Sequence, residues 1–449
     1  MKTQGLIPAL MMVAGAAAMA ATGTTRQPTF SRDVAPILQK NCQGCHRPGE
    51  AAPMSLLTYQ QVRPWAKAIR EAVLLKRMPP WFADPSEHGM FKNDRSLAPS
   101  DIETLVSWVD AGAPQGDPND LPAPRRFVDG WNIGQPDAVF EMPNEFQVPA
   151  SGTIEYQYIV IPTGFTEDKW VQMAEVRPGN RALVHHVIAF VRPPDSKWMR
   201  EAQPGIPFVP KKAKDENQAA NPDKKKKRDD GGFGEFLVGF APGVIPEVLE
   251  PGQAKMIKAG SDFVFQLHYT ANGKAGTDQT KIGLIFAKEP PKVRVLTASA
   301  QNRKFTIPAG DPDYEVRSEI TIQDTATLTG LLPHMHLRGK DFEYRLVYPT
   351  GESEVLLKVP KYSFSWQLSY YLEKPRVLVK GTRIECTAHF DNSPNNPNNP
   401  NPNVDVKWGD QSWEEMMIGF FDLAVDRNAK LEDLFKDKDK KPAPARSSD

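Results

Sequence analysis

The chain has 449 residues, enough for about three domains at roughly 150 residues each. Lys plus Arg and Asp plus Glu both number 55, so the net charge is zero and no overall field attracts nucleic acid or an acidic membrane surface. No nucleic-acid partner is therefore expected. A hydrophobic fraction of 40% excludes a wholly disordered chain, and 42 prolines argue against a helical bundle, because proline interrupts helix interiors.

The N-terminal segment has the pattern of a secretory signal. Lys2 precedes an apolar run from Leu6 to Ala20, which closes with small residues. We therefore predict a signal peptide at residues 1–20 and a periplasmic or otherwise exported protein. The run is short for a membrane span and no later run is longer, so we expect no stable membrane insertion, with an uncleaved anchor as the alternative.

Residues 30–116 have a helical pattern. The clearest helix is predicted from Ser100 to Ala111, with apolar residues on one stripe and Gly112 after its end. Prolines are frequent around Pro114 to Pro124, and we place a linker at residues 117–130. The sequence therefore predicts a small all-α domain at residues 30–116.

Short strands separated by turns dominate the rest of the chain, as in Ile154 to Ile161 and Phe263 to Tyr269. We divide this part into two β-rich domains, residues 131–292 and 293–430, each a sandwich or barrel. A lysine-rich segment at 194–234 is predicted to be a mobile insertion, and residues 431–449 a disordered tail.

The segment Cys42-Gln43-Gly44-Cys45-His46 has the C-x-x-C-H pattern that attaches one haem c covalently. Two thiols bond the porphyrin and the adjacent imidazole binds the iron. A zinc site is disfavoured because no second cysteine pair could complete four ligands. We expect the sixth ligand to be the thioether of Met78, with Met54 and Met90 as alternatives.

This part of the chain, from Phe30 to Gly116, resembles a class I type c cytochrome. Met78-Pro79-Pro80 and the turn after the last predicted helix support the resemblance. The resemblance implies a cytochrome c domain and one-electron transfer.

Five of the eight histidines fall in three predicted strand contexts: His185, His186, His268, His334 and His336. Residues two apart on a strand share a face, so His334 and His336 can bind one metal. The adjacent His185 and His186 point oppositely unless a bulge or a strand end intervenes. A thioether beside imidazoles favours copper over zinc, and the predicted strand from Trp413 to Phe420 offers one in Met416 or Met417. Strand alternation turns these two side chains to opposite faces.

The histidine motifs resemble the copper type II, ascorbate-dependent monooxygenases of the peptidylglycine alpha-hydroxylating and dopamine beta-monooxygenase type. The resemblance runs from about Trp131 to Asp426 and rests on His185-His186-Val187, Gln266-Leu267-His268-Tyr269, His334-Met335-His336 and Glu415-Met416. It implies two jelly-roll sandwiches and two coppers. One copper would accept electrons on His185, His186 and His268. The other would react with dioxygen on His334, His336 and Met416, which makes these three the catalytic residues.

The resemblance has one departure that bears on specificity. Leu332 stands where the peptide-hydroxylating members have an arginine for a substrate carboxylate. A peptide acid substrate is therefore not supported, and the small-molecule substrate stays open.

Together these features predict a fold and a function. The expected fold is multidomain, a small all-α cytochrome c domain followed by two all-β jelly-roll sandwich domains. The expected function is hydroxylation of a C–H bond of a small molecule with dioxygen, the cytochrome domain passing electrons from a periplasmic donor to copper. Electron flow in the opposite direction, from copper through the cytochrome domain to a periplasmic acceptor, stays open. The alternative is a non-enzymatic electron-transfer or copper-binding protein, and a metal-free scaffold is a third hypothesis.

Overall fold

The computed structural model describes residues 26–50, 52–128, 130–210 and 234–435. The predicted signal peptide, residues 211–233 of the predicted insertion and residues 436–449 of the predicted tail lie outside the described residues. In the described ranges, no helix is both long enough and apolar enough to cross a membrane.

Short helices form the N-terminal part of the chain. The α-helices are α1 (Ala35–Asn41), α2 (Tyr59–Val62), α3 (Ala66–Leu74) and α4 (Pro99–Asp110). A π-helical turn, Phe30–Val34, leads into α1, and single 3-10 turns lie at Arg63–Trp65, Pro85–Glu87, Pro118–Asp120 and Leu431–Leu434. The helices enclose a small core around Phe30, Leu38, Leu105 and Trp108.

The end of α4 shows how local sequence sets a helix boundary. Gly112 follows the helix with a φ of 86°, a conformation that glycine adopts at little cost. The N–H of Gly112 donates to the carbonyl of Val109 (3.0 Å), and that of Ala113 to the carbonyl of Trp108 (2.9 Å). This pair of bonds ends the helix as a Schellman motif.

The remaining chain is built mainly of strands, and the largest sheet has nine of them. In spatial order eight of its strands are β1 (Ala138–Glu141), β11 (Lys281–Phe286), β4 (Lys169–Arg177), β8 (Gln253–Ile257), β12 (Val293–Asn302), β21 (Met417–Asp426), β15 (Ala326–His334) and β18 (Tyr370–Leu378). The ninth, β7 (Glu247–Val248), pairs with β4.

Two four-stranded sheets and two small ribbons make up the rest of the β structure in the described residues. The first four-stranded sheet is β3 (Gln157–Pro162), β9 (Asp262–Tyr269), β5 (Val184–Arg192) and β6 (Glu235–Phe240). The second is β14 (Tyr314–Thr321), β19 (Arg383–Phe390), β16 (Gly339–Val347) and β17 (Ser353–Val359). The ribbons pair β2 (Phe146–Val148) with β10 (Gly276–Asp278), and β13 (Thr306–Ile307) with β20 (Val406–Lys407).

Each four-stranded sheet packs against one half of the nine-stranded sheet. Alternating apolar residues of β5 and β9, such as Val187 and Phe265, meet Ile282 and Leu284 of β11 in one core. Phe342 and Ile384 of the second sheet contribute with Phe421 of β21 to the other core. This alternation is what strands with one buried face require.

The predicted fold class is wrong. A single sheet runs through both β-rich regions, because β8 pairs in parallel with β12 through Gln253↔Val293 and Ala254↔Arg294. The two regions therefore share one layer instead of forming two separate jelly-roll domains. Periodicity identifies strands but carries no information about which strands pair across a proposed boundary.

The N-terminal part does not form a separate all-α cytochrome c domain either. After α3 the chain leaves the helices and runs along β18: the N–H of Lys92 donates to the carbonyl of Tyr371 (2.8 Å), and that of Glu373 to the carbonyl of Met90 (2.8 Å). Phe91 is buried in the core of the second four-stranded sheet. Apolar residues of this segment thus belong to a β core. The helices on either side of the segment give no sign of this in the sequence.

Candidate metal centre

Three of the predicted ligands come from neighbouring strands of one sheet. His186 on β5 lies opposite His268 on β9, and a register shift between Val184 and His186 leaves His185 as an extra residue at this point. A shift of this kind re-aims a side chain that regular alternation would turn away. His185, His186 and His268 accordingly face one another.

The three imidazoles are close enough to share one ion. One ring nitrogen from each lies within 4.8 Å of the others, and the Nδ1 atoms of His185 and His186 are 3.4 Å apart. Nitrogens that bind one ion at about 2.0–2.1 Å are separated by at most about 4 Å, so small ring rotations bring them into place. Nδ1 of His268 is buried without a hydrogen-bond partner and is available as a ligand.

Burial keeps these imidazoles neutral, which is the form that binds metals. Burial lowers the pKa of His185 to about 4. It also lowers the pKa of His268 to about 3, and repulsion from a protonated His185 adds to this effect. The pKa of His186 lies well below its usual value, first because of burial and then because of His268.

The second predicted set lies at the end of β15. The rings of His334 and His336 are 5.2 Å apart and nearly perpendicular. Nδ1 of His334 hydrogen-bonds Oε1 of Gln367 (2.8 Å), and Nδ1 of His336 the carbonyl of Glu414 (3.2 Å), which leaves Nε2 of each ring free for a metal. Nε2 of His336 is buried without a partner. Burial lowers the pKa of both imidazoles, that of His334 to about 4.

The Glu415 carboxylate holds the turn that carries this pair. Its two oxygens accept the backbone N–H groups of His336 (2.9 Å) and Arg338 (2.6 Å), and the side chain is fully buried. Burial raises its pKa to about 8 against the lowering effect of these bonds. Met416 follows directly and is therefore held beside the turn.

The structure separates the two methionines that the sequence offers as ligands. Met417 lies in the core of the second four-stranded sheet, where the hydroxyl of Ser318 donates to its sulfur (3.3 Å). Met416 is buried but is not part of that core. Met416 lies directly before the first residue of β21, outside the strand.

Two aromatic rings connect the two histidine sets. The Tyr156 ring lies 4.6 Å from that of His268 and 6.4 Å from that of His336. Phe364 stacks on His185 at 4.8 Å and lies 5.9 Å from His336. Four of the five imidazoles therefore lie around these two rings, because Tyr156 also contacts His186 at 5.1 Å, and the ring of His334 lies 5.2 Å from that of His336. A cavity lined by both His186 and His334 adjoins them.

Sequence reasoning missed most of the side chains that support this centre. Gln367, Tyr156 and Phe364 stand in segments with no metal-ligand spacing, so no local pattern identifies them. Glu415 carries a weaker signal: it is an acid directly before a proposed ligand and an apolar strand, although Glu414 beside it is an acid as well.

The C-x-x-C-H segment forms a turn directly after α1. The N–H of His46 donates to the carbonyl of Cys42 (2.9 Å), and its Nδ1 hydrogen-bonds the carbonyl of Met54 (3.3 Å), which leaves Nε2 free. Cys42 is half-buried, Cys45 is exposed, and both are free thiols. Burial raises the pKa of both thiols, that of Cys42 to about 12, and lowers the pKa of His46.

The three candidate methionines for the iron lie in different surroundings. Met78 follows α3 and is half-buried, and it is not part of the helical core. Met54 packs against that core, close to His46, whose ring its carbonyl binds. Met90 packs against the core of the second four-stranded sheet.

An ion pair connects the C-x-x-C-H segment to the histidine sheet. Glu50 pairs with Arg181, in the turn before β5, and with Arg47 at 2.8 Å. Arg181 also lies over the ring of Phe240 at 5.6 Å. The turn that follows Cys45 and His46 is thus joined to the loop that leads into His185.

Comparison with known proteins gives no family. No protein-family model matches the chain, and no curated protein matches it. Among solved structures, infectious bursal disease virus, Gx strain, is similar over 69% of this chain and 77% of that chain, at 6% identity and a TM-score of 0.19. Allantoicase is similar over 55% and 79%, at 10% identity and a TM-score of 0.15. Both scores are too low to bear on fold or function.

Proposed function

We propose that this chain is a copper-dependent monooxygenase that hydroxylates a C–H bond of a small molecule and receives electrons through a haem c attached at Cys42 and Cys45. The observation that carries the proposal is the grouping of five neutral imidazoles, four of them buried, in two sets. Tyr156 and Phe364 contact four of the rings, and the fifth, that of His334, lies beside His336. The resemblance of the histidine motifs to copper monooxygenases supports it.

The donor atoms fit two copper ions. His185, His186 and His268 offer three nitrogens to one ion. His334 and His336, with the thioether of Met416, offer a softer set to the other. A buried imidazole nitrogen without a partner is costly, and a metal ion removes that cost at His268 and His336.

The residues around the ligands orient them. Gln367 and the Glu414 carbonyl bind the Nδ1 atoms of His334 and His336, which selects Nε2 of each for the metal. The hydroxyl of Ser412 lies 3.4 Å from Nε2 of His268 and leaves Nδ1 free. Copper in these sets supplies one-electron chemistry with dioxygen, and haem at Cys42 and Cys45 supplies a store for single electrons.

The reaction is R–H + O₂ + 2e⁻ + 2H⁺ → R–OH + H₂O. One oxygen atom enters the substrate and the other is reduced to water. The electrons come from an exported one-electron donor. The Glu50–Arg181 contact, which joins the C-x-x-C-H turn to the loop before His185, supports entry of electrons on the side of His185, His186 and His268.

The test uses the full chain, exported with its haem and loaded with copper. We expect one haem and two copper ions per chain, and oxygen uptake with a one-electron reductant that yields a product labelled from ¹⁸O₂. His336→Ala should lose one copper and the labelled product. His389→Ala, which removes an imidazole of β19 that pairs with Asp341 of β16, should keep both copper ions and the labelled product. Label from water instead of dioxygen would overturn the proposal.

One observation favours the alternative, a non-enzymatic electron-transfer or copper-binding protein. His336 is fully buried, and Tyr156 and Phe364 flank it, which restricts access to its metal. Two bound copper ions that exchange electrons with the haem, without substrate-dependent oxygen uptake, would support this second function.

A further inference from the structure

An open cavity adjoins both histidine sets. His186 on β5 and His334 on β15 both line it, so a molecule in the cavity lies beside both proposed metal positions.

Apolar side chains from four separate parts of the chain form most of the wall: Phe236, Val238, Val244, Ile245, Leu332 and Phe420. They come from β6, the loop after it, β15 and β21. Such a wall stabilises a ligand mainly by removing its apolar surface from water, at about 25 cal/mol per Å². Gln367, Ser369 and Tyr371 add a few polar atoms on one side.

The cavity presents no unpaired charge to a ligand. In the described part of the chain its only charged lining residue is Glu247. Lys255 pairs with that carboxylate at 2.9 Å and also donates to the carbonyl of Leu237 (2.9 Å), so the acid is already neutralised. An ionised ligand would lose its hydration here without gaining a partner.

We propose that this cavity binds the substrate and selects a neutral, mainly apolar small molecule with at most one hydroxyl or amide group. The polar side, with Gln367 and Ser369, accommodates that group, while the apolar wall holds the carbon skeleton beside His186 and His334. Calling the bound molecule a substrate rests on the proposed function, but its binding does not require copper.

The test compares three probes with one skeleton: benzyl alcohol, benzoate and benzylammonium. Binding to the full chain is measured by calorimetry and by saturation-transfer NMR after copper has been removed, because a copper ion beside the cavity would itself bind the carboxylate. We expect the neutral alcohol to bind at least tenfold more tightly than either ion. An ion that binds as tightly as the alcohol, or no binding of the alcohol, would overturn the inference.

Two variants locate the binding. Leu332→Trp and Ile245→Trp each add bulk at a residue that lines the cavity and should each weaken binding of the alcohol at least tenfold. The control, Val377→Trp, adds the same bulk at an exposed position of β18 and should leave binding unchanged. Alcohol binding in a chain that shows no oxygen uptake would refute the proposed function and leave this inference standing, which keeps the two failures distinct.

Discussion

At the scale of single residues, the centre depends on which atom each side chain leaves free. Gln367 and the Glu414 carbonyl occupy the Nδ1 atoms of His334 and His336, and low pKa values keep both rings unprotonated. The same logic applies at His46, where the Met54 carbonyl occupies Nδ1. Hydrogen bonds to one nitrogen thus determine what the other can bind.

The two adjacent methionines give a matched pair of variants. Met416→Leu removes the proposed thioether ligand and should weaken Cu(I) binding by His334 and His336 at least tenfold, because a soft donor is lost. Met417→Leu changes only the packing beside Ser318 and should cost less than about 1.5 kcal/mol of stability without changing copper affinity. Competition with a Cu(I) chelator measures both. Equal affinities in the two variants would contradict the assignment.

Glu87 predicts a pH dependence of stability. Burial raises its pKa to about 7, so between about pH 4.5 and pH 7 the folded chain holds a proton that the unfolded chain releases. Stability from this group is full below about pH 4.5 and declines as the pH rises to 7, by about 3 kcal/mol in total.

Glu87→Gln tests this effect. The amide oxygen can still accept the N–H of Lys358, as Oε1 does at 2.8 Å, but it does not titrate. The difference in unfolding free energy between the variant and the parent should therefore change across this window in urea titrations. Glu71→Gln, at an exposed position, is the control. A constant difference for Glu87→Gln would disprove the prediction.

At the scale of elements, the register shift in β5 and the segment beside β18 have the largest consequences. The shift adds His185 to the face that His186 and His268 share. The segment around Met90 and Lys92 hydrogen-bonds β18 and joins the helical part to the β structure. Both features arise where a chain departs from regular periodicity.

Phe91 tests whether that segment is part of the β core. The ring is 4% exposed and lies 5.5 Å from the ring of Tyr370 on β18. Phe91→Ala should cost about 3–5 kcal/mol and speed amide exchange along β18. Leu75→Ala, which is 60% exposed, should change stability by less than about 0.5 kcal/mol. Unchanged exchange in β18 with Phe91→Ala would show that the segment is not anchored there.

At the scale of the whole molecule, the shared nine-stranded sheet and the Glu50–Arg181 pair connect the parts that the proposed function needs. Parallel pairing of β8 with β12 unites the two β-rich regions in one layer, and each of the facing four-stranded sheets covers one half of it. The ion pair then connects the C-x-x-C-H turn to the loop before His185. Arg181 and Glu50 are both largely buried, so their contact is less screened than a surface pair.

A charge swap tests the role of this contact. Arg181→Glu alone should slow reoxidation of the reduced haem by the copper-loaded chain at least tenfold, because like charges then face each other. The double variant Glu50→Arg with Arg181→Glu should recover most of the rate. Stopped-flow absorbance measures it, and Arg70→Glu, in an exposed pair with Asp110, is the control. Equal rates in the single variant and the parent would exclude the contact from electron entry.

The sequence alone was sufficient for features that depend on neighbours in the chain. The helix end at Gly112 and the strand alternation of β5 and β9 follow from local sterics and burial. The residues that could bind a metal can be recognised in the sequence from their residue types. Tertiary structure decided what depends on distant pairing. The parallel β8–β12 contact, the approach of Tyr156 and Phe364 to both histidine sets, and the insertion of Phe91 into a β core join residues far apart along the chain. Such contacts depend on the free energy of the whole packed arrangement, which no local pattern of hydrophobic and polar residues records.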